Sequence, residues 1–107
     1  MSGRVANILL VEDEPTLRAG TEQFLVQRGF TVIAVASGEE ALEQFAEADA
    51  IILDIMLPGM SGIEVLHQIR QASDVPVLML TALHDEPTQI ASFDELADDY
   101  MSKPFSL

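Results

Sequence analysis

Apolar residues recur in short unbroken runs: Ile8 to Val11, Val32 to Val35, Ala50 to Leu53 and Val77 to Leu80. Continuous runs, as opposed to alternating ones, predict strands buried on both faces, as in a parallel sheet. Pro76 predicts the start of the fourth strand, where a missing N–H is tolerated. A weaker run, Asp99 to Met101, predicts a fifth strand.

The segments between these runs carry helical spacing. Pro15 suits a first helical position, Leu17, Phe24 and Leu25 share one face, and Gly29 stops that helix. Ser37 with Glu40 reads as a capping box, followed by Ala41, Leu42 and Phe45 facing inward. Ser61 with Glu64 repeats the box ahead of Ile63, Leu66 and Ile69. A fourth helix is expected from Pro87 to Leu96, with Ile90 and Phe93 as its main apolar residues, and it should be the loosest. Alternating strands and helices argue for an α/β fold with right-handed crossovers.

At 107 residues the chain has room for one domain, and a hydrophobic fraction of 49% supports a packed core over disorder. No apolar stretch approaches the roughly 20 residues that span a bilayer, and no leader is visible after Met1, so a cytoplasmic location and no membrane partner are expected. Cysteine is absent, which excludes disulfides and thiolate metal sites. The net charge of −13 would repel nucleic acid, so any action on DNA must pass through another domain.

In open α/β sheets ligands bind at the carboxyl ends of the strands, near the point where strand order reverses. Glu12, Asp13, Asp54, Thr81 and Lys103 all fall at such ends. Carboxylates gathered there call for a counter-ion. Oxygen ligands favour Mg²⁺, with Mn²⁺ as a substitute. Asp13 and Asp54 are candidates for direct ligation, Glu12 through water, and the backbone carbonyl of Met56 for a further oxygen. Asp54 is the natural nucleophile toward phosphorus. Lys103 and the Thr81 hydroxyl would neutralise the remaining phosphoryl oxygens. His67 and His84 are expected to be solvated, and both are too isolated for a zinc site. The methionines read as gap fillers.

The stretches Ile8–Glu14, Leu53–Gly62, Leu80–Ala82 and Ala97–Phe105 together resemble the receiver domain of a two-component response regulator, over essentially the whole chain. That resemblance implies a flavodoxin-like, doubly wound, five-stranded parallel sheet of order 2-1-3-4-5. It makes Asp54 the phosphoacceptor, Glu12 and Asp13 the acidic pair, Thr81 the switch hydroxyl, Tyr100 the switch aromatic and Lys103 the conserved-type lysine. A sensor histidine kinase would be the donor, and the only chemistry would be the domain's own phosphorylation and dephosphorylation. Pro104 would be a candidate for a cis bond holding Lys103. The wording from Asp98 to Phe105 is similar to the branch that drives a winged-helix DNA-binding domain, expected beyond Leu107, with a homodimer as a further partner. Leu96 stands where glycine is usual. The fifth helix of the pattern falls outside this sequence, which predicts exposed apolar sheet surface beside the first helix and reduced stability or non-native association. Two other readings stay open: a flavin-binding domain of like topology, disfavoured by the acidic Glu12-Asp13-Glu14-Pro15 turn, and an inert interaction module.

Overall fold

The computed structural model describes residues 5–82 and 99–103. The expected fourth helix, His84, Leu96 and Pro104 lie outside them. Five parallel strands, β1 (Asn7–Val11), β2 (Thr31–Val35), β3 (Ala50–Asp54), β4 (Val77–Ala82) and β5 (Asp99–Lys103), form one sheet of order β2-β1-β3-β4-β5. The order reverses between β1 and β3. β4 and β5 each run two residues beyond the apolar runs that predict them, so Thr81 and Lys103 belong to strands and their backbones are fixed by the ladder.

Helix α1 (Pro15–Gln27) begins with proline and ends at Gly29, whose φ of 99° is the left-handed geometry glycine accepts without penalty. α2 (Gly38–Gln44) is capped by Ser37, whose Oγ accepts the Glu40 N–H at 3.2 Å. The Glu40 carboxylate reaches back to Ser37 Oγ and to the Ala36 N–H, one residue earlier than a standard capping box. A 3₁₀ turn over Phe45–Glu47 follows. α3 (Gly62–Arg70) is capped by Ser61, which accepts the Glu64 N–H at 3.2 Å.

The two faces of the sheet are filled unequally. Leu9, Val11, Ile51, Leu53, Val77 and Met79 point to one side and pack with Ala41, Val65, Leu66 and Ile69 into a fully buried core. Leu42, Phe45 and Ile63 pack against it from the rim. On the other face Ile8, Leu10 and Leu80 are buried, but Ile52 and Leu78 are only half covered. α1 contributes a single buried residue there, Thr21. Leu17, Phe24 and Leu25 do share a face, yet each is half-buried, and Val26 is 52% exposed. The Arg28 guanidinium lies 4.6 Å from the Phe24 ring centroid and covers part of it. No helix among the described residues is long and apolar enough to cross a membrane.

Candidate functional site

Strand register builds the site. β1 pairs with β3 so that Val11 faces Leu53. One step further along both strands lie Glu12 and Asp54. The two acids therefore meet because two buried runs end level with one another. Both are almost completely buried, at 1% and 2% exposure, which sets them apart from solvated surface acids.

Local hydrogen bonds hold each of them. The Glu12 N–H donates to Val35 O at 3.0 Å and extends the β1–β2 ladder by one residue. Glu12 Oε2 accepts the Glu14 N–H at 3.0 Å, closing the turn. Asp54 Oδ1 accepts the Met56 N–H at 3.1 Å, and the Ile55 N–H continues the ladder to Leu80 O at 3.1 Å. Met56 thus stands next to Asp54 with its own side chain 58% exposed.

Glu12, Asp13 and Asp54 each offer a carboxylate oxygen, and these oxygens lie within 4.8 Å of one another. Two full negative charges at that distance repel by roughly 3 kcal/mol at an effective dielectric constant near 20. An all-oxygen cluster of this charge fits a hard divalent cation such as Mg²⁺ and does not suit zinc, which prefers nitrogen and sulfur. Asp13 is exposed, so a cation held here would remain open to water on that side.

Glu14 takes a different role from its acidic neighbours. It is the N-cap of α1, its carboxylate accepting the N–H groups of Leu17 at 2.6 Å and Thr16 at 3.2 Å. These bonds, the one from Leu17 foremost, hold its carboxyl below the ordinary glutamate range. The α1 N-terminus, where a flavin phosphate would dock in the alternative reading, is therefore occupied by a carboxylate.

Two further residues shape the site without any obvious mark in the sequence. Gly62 opens α3 directly beneath the end of β3. Its N–H donates to Ile55 O at 2.7 Å. A Cβ placed there would overlap the Asp54 carbonyl oxygen and lie 2.7 Å from Ile55 Cα. Arg18, on the second turn of α1, donates from Nη1 to the carbonyls of Glu12 at 3.0 Å and Asp13 at 3.3 Å.

The remaining predicted positions are located by the backbone. β4 lies beside β3 with Leu80 opposite Asp54, and Thr81 follows it. β5 lies beside β4, with Tyr100 opposite Met79 and Lys103 opposite Ala82. His67 is exposed on α3, as its position on the helix predicts.

The sequence pattern of the response regulator receiver domain matches residues 8–107. Response regulator RR06 of Streptococcus pneumoniae is 47% identical over 103 residues, a match covering 94% of this chain and 48% of that protein. Sensory transduction protein RegX3 of Mycobacterium tuberculosis is 42% identical over 104 residues, covering 95% and 46%. The chain thus spans about half the length of the curated relatives it matches. Among solved structures, a response regulator from Chloroflexus aurantiacus superposes with a TM-score of 0.87 at 39% identity, covering 96% of this chain and 88% of that one. The chemotaxis protein CheY4 of Vibrio cholerae gives 0.87 at 31% identity, covering 96% and 90%.

Proposed function

Because the chain belongs to the response regulator receiver domain family, we propose that it takes a phosphoryl group from a phosphohistidine of a sensor kinase onto Asp54. The observation that carries this reading is the meeting of Glu12, Asp13 and Asp54, two of them buried, at the carboxyl ends of β1 and β3.

The chemistry follows from the side chains. An Asp54 carboxylate oxygen attacks phosphorus, the P–N bond of the donor breaks, and the imidazole nitrogen keeps the electron pair and takes up a proton. The product is an acyl phosphate. Hydrolysis reverses the acceptor's part: water attacks phosphorus, the P–O bond to Asp54 breaks, and the carboxylate is restored. Asp13, Asp54 and the Met56 carbonyl would hold Mg²⁺ or Mn²⁺ directly, and Glu12 through water. When bound, the cation supplies positive charge to a phosphoryl oxygen. Lys103 would neutralise a second oxygen and the Thr81 hydroxyl would bond a third.

The acceptor's own bond to the Met56 N–H matters here. It ties Oδ1 to the backbone and so fixes the orientation of the carboxylate at the end of β3.

Signal output would run through Thr81 and Tyr100, which lie in adjacent strands. Thr81 draws toward the phosphoryl group, and Tyr100 turns inward behind it, shifting a pre-existing equilibrium. The same Tyr100 rotamer with and without a beryllofluoride mimic would remove this step. The effector would be a winged-helix DNA-binding domain, in keeping with relatives such as the probable transcriptional regulator ycf27 of Guillardia theta, of which the chain matches 40%.

The test is intact-mass measurement after incubation with acetyl phosphate and Mg²⁺. One added phosphoryl group is expected in the native chain and none in Asp54→Asn. An unchanged mass with acetyl phosphate and with any sensor kinase would favour an inert interaction module.

A further inference from the structure

The acidic turn is tied from two sides. On its amide side, the Glu12 N–H is bound to β2 and the Glu14 N–H to the Glu12 carboxylate. On its carbonyl side stands Arg18, with one guanidinium nitrogen bonding two consecutive carbonyls, those of Glu12 and Asp13. The Arg18 N–H is itself part of the helix, donating to Glu14 O at 2.9 Å. The side chain therefore folds back from the second turn of α1 onto the loop that precedes the helix.

We infer that Arg18 is a positioning residue for the divalent cation: by fixing the carbonyls of Glu12 and Asp13 it aims the acidic turn at Asp54. This rests on the reading of the three carboxylates as a cation site. Asp13 needs such help most. Its side chain is exposed, so packing does not fix it, and its direction follows from the peptide planes on either side. Both planes carry a carbonyl bonded by Arg18.

Charge alone predicts the opposite behaviour. A guanidinium close to the cluster repels a cation, so removing it should tighten binding if Arg18 acted only through its charge. Loss of positioning should weaken binding. The two effects have opposite signs, and the measured direction separates them.

The experiment is calorimetric titration of Mg²⁺ into the 107-residue chain and its variants, with Mn²⁺ electron paramagnetic resonance as a second readout. Arg18→Met keeps an unbranched apolar stem and removes the donors. It is expected to weaken affinity about tenfold, the lower end of what loss of a partner behind a ligand costs a metal site. Arg18→Lys keeps the charge and a donor that can serve both carbonyls, and should recover part of that loss. Arg18→Gln, whose amide stops short of both carbonyls, should behave as the methionine variant does, so the result does not depend on how well one variant folds. Binding by Arg18→Met and Arg18→Gln as tight as that of the native chain, or tighter, would overturn the inference while leaving the cation site standing. A native chain that binds neither ion would overturn both.

Discussion

Replacing Gly62 by alanine should destabilise the domain, although alanine is the better helix former. At an exposed helix position the exchange gains about 1 kcal/mol from helix propensity. At Gly62 the added methyl meets the Asp54 carbonyl oxygen and Ile55 Cα, both backbone atoms. Neither can give way easily, because Ile55 bonds Leu80 O through its N–H and accepts the Gly62 N–H at its carbonyl. Overpacking of this kind costs about 1–3 kcal/mol and more where backbone must move. Taking about 3 kcal/mol for the clash and subtracting about 1 for propensity leaves a net loss of about 2 kcal/mol. That is a large share of the roughly 5–15 kcal/mol that holds a domain folded. It corresponds to a melting point lower by about 8–16 °C for a domain near this size. Gly20 on α1 supplies the contrast. A Cβ there meets nothing within 4 Å, so Gly20→Ala should stabilise by about 0.4–1 kcal/mol. Urea unfolding followed by circular dichroism measures both. A Gly62→Ala variant as stable as the native chain would refute the close approach of α3 to β3. Its Mg²⁺ affinity should also fall, since any shift that admits the methyl moves Asp54.

Mg²⁺ should raise the melting point of the native chain by ligand linkage, about 2.7 kcal/mol at a hundred times its Kd, and raise that of Asp54→Asn much less; equal shifts in both would place the ion elsewhere. Leu66→Ala should cost about 2–5 kcal/mol, because Leu66 is fully buried between α3 and the sheet, whereas Val26→Ala should change stability by less than about 0.5 kcal/mol; comparable losses in urea unfolding would contradict the unequal filling of the two faces. Glu14→Gln should destabilise at neutral pH and progressively less as acid is added. The carboxyl of Glu14 titrates lower when folded, so its contribution is full above the ordinary glutamate value and fades as pH falls through the depressed folded value. A stability gap between the two proteins that stays constant from neutral pH into acid would refute the capping role.

Much of this fold can be read directly from residue order. Buried parallel strands need apolar residues on both faces, so β1 to β4 appear as unbroken runs, and their shared carboxyl ends announce where Glu12 and Asp54 will meet. The two capping serines mark α2 and α3 for the same local reason. Helical spacing misses Val65, which is fully buried because its side chain lies against Gly38 of α2, so that α3 turns a wider face inward than Ile63, Leu66 and Ile69 alone indicate. The strands outrun their apolar cores at Thr81 and Lys103 because ladder pairing, not hydrophobicity, extends β4 and β5.

Gly62 and Arg18 were illegible for a deeper reason. Each acts on backbone atoms, a carbonyl above the helix start or two carbonyls behind it, and backbone positions leave no mark in side-chain pattern. Glu14 did carry a signal, an acid immediately before a helix-opening proline, but the adjacent Glu12 and Asp13 draw attention to it as part of an acidic run. In the structure that run divides its labour. Glu12 is buried at the end of β1, Asp13 is exposed and Glu14 caps α1.

The most direct measurement is chemical trapping of the acyl phosphate. Borohydride reduction of the phosphorylated chain followed by peptide mapping identifies the residue that carried the group. Conversion at Asp54 alone, lost on chelation of Mg²⁺, is the expected result; reduction at another carboxylate, or labelling that persists without a divalent ion, would contradict the account.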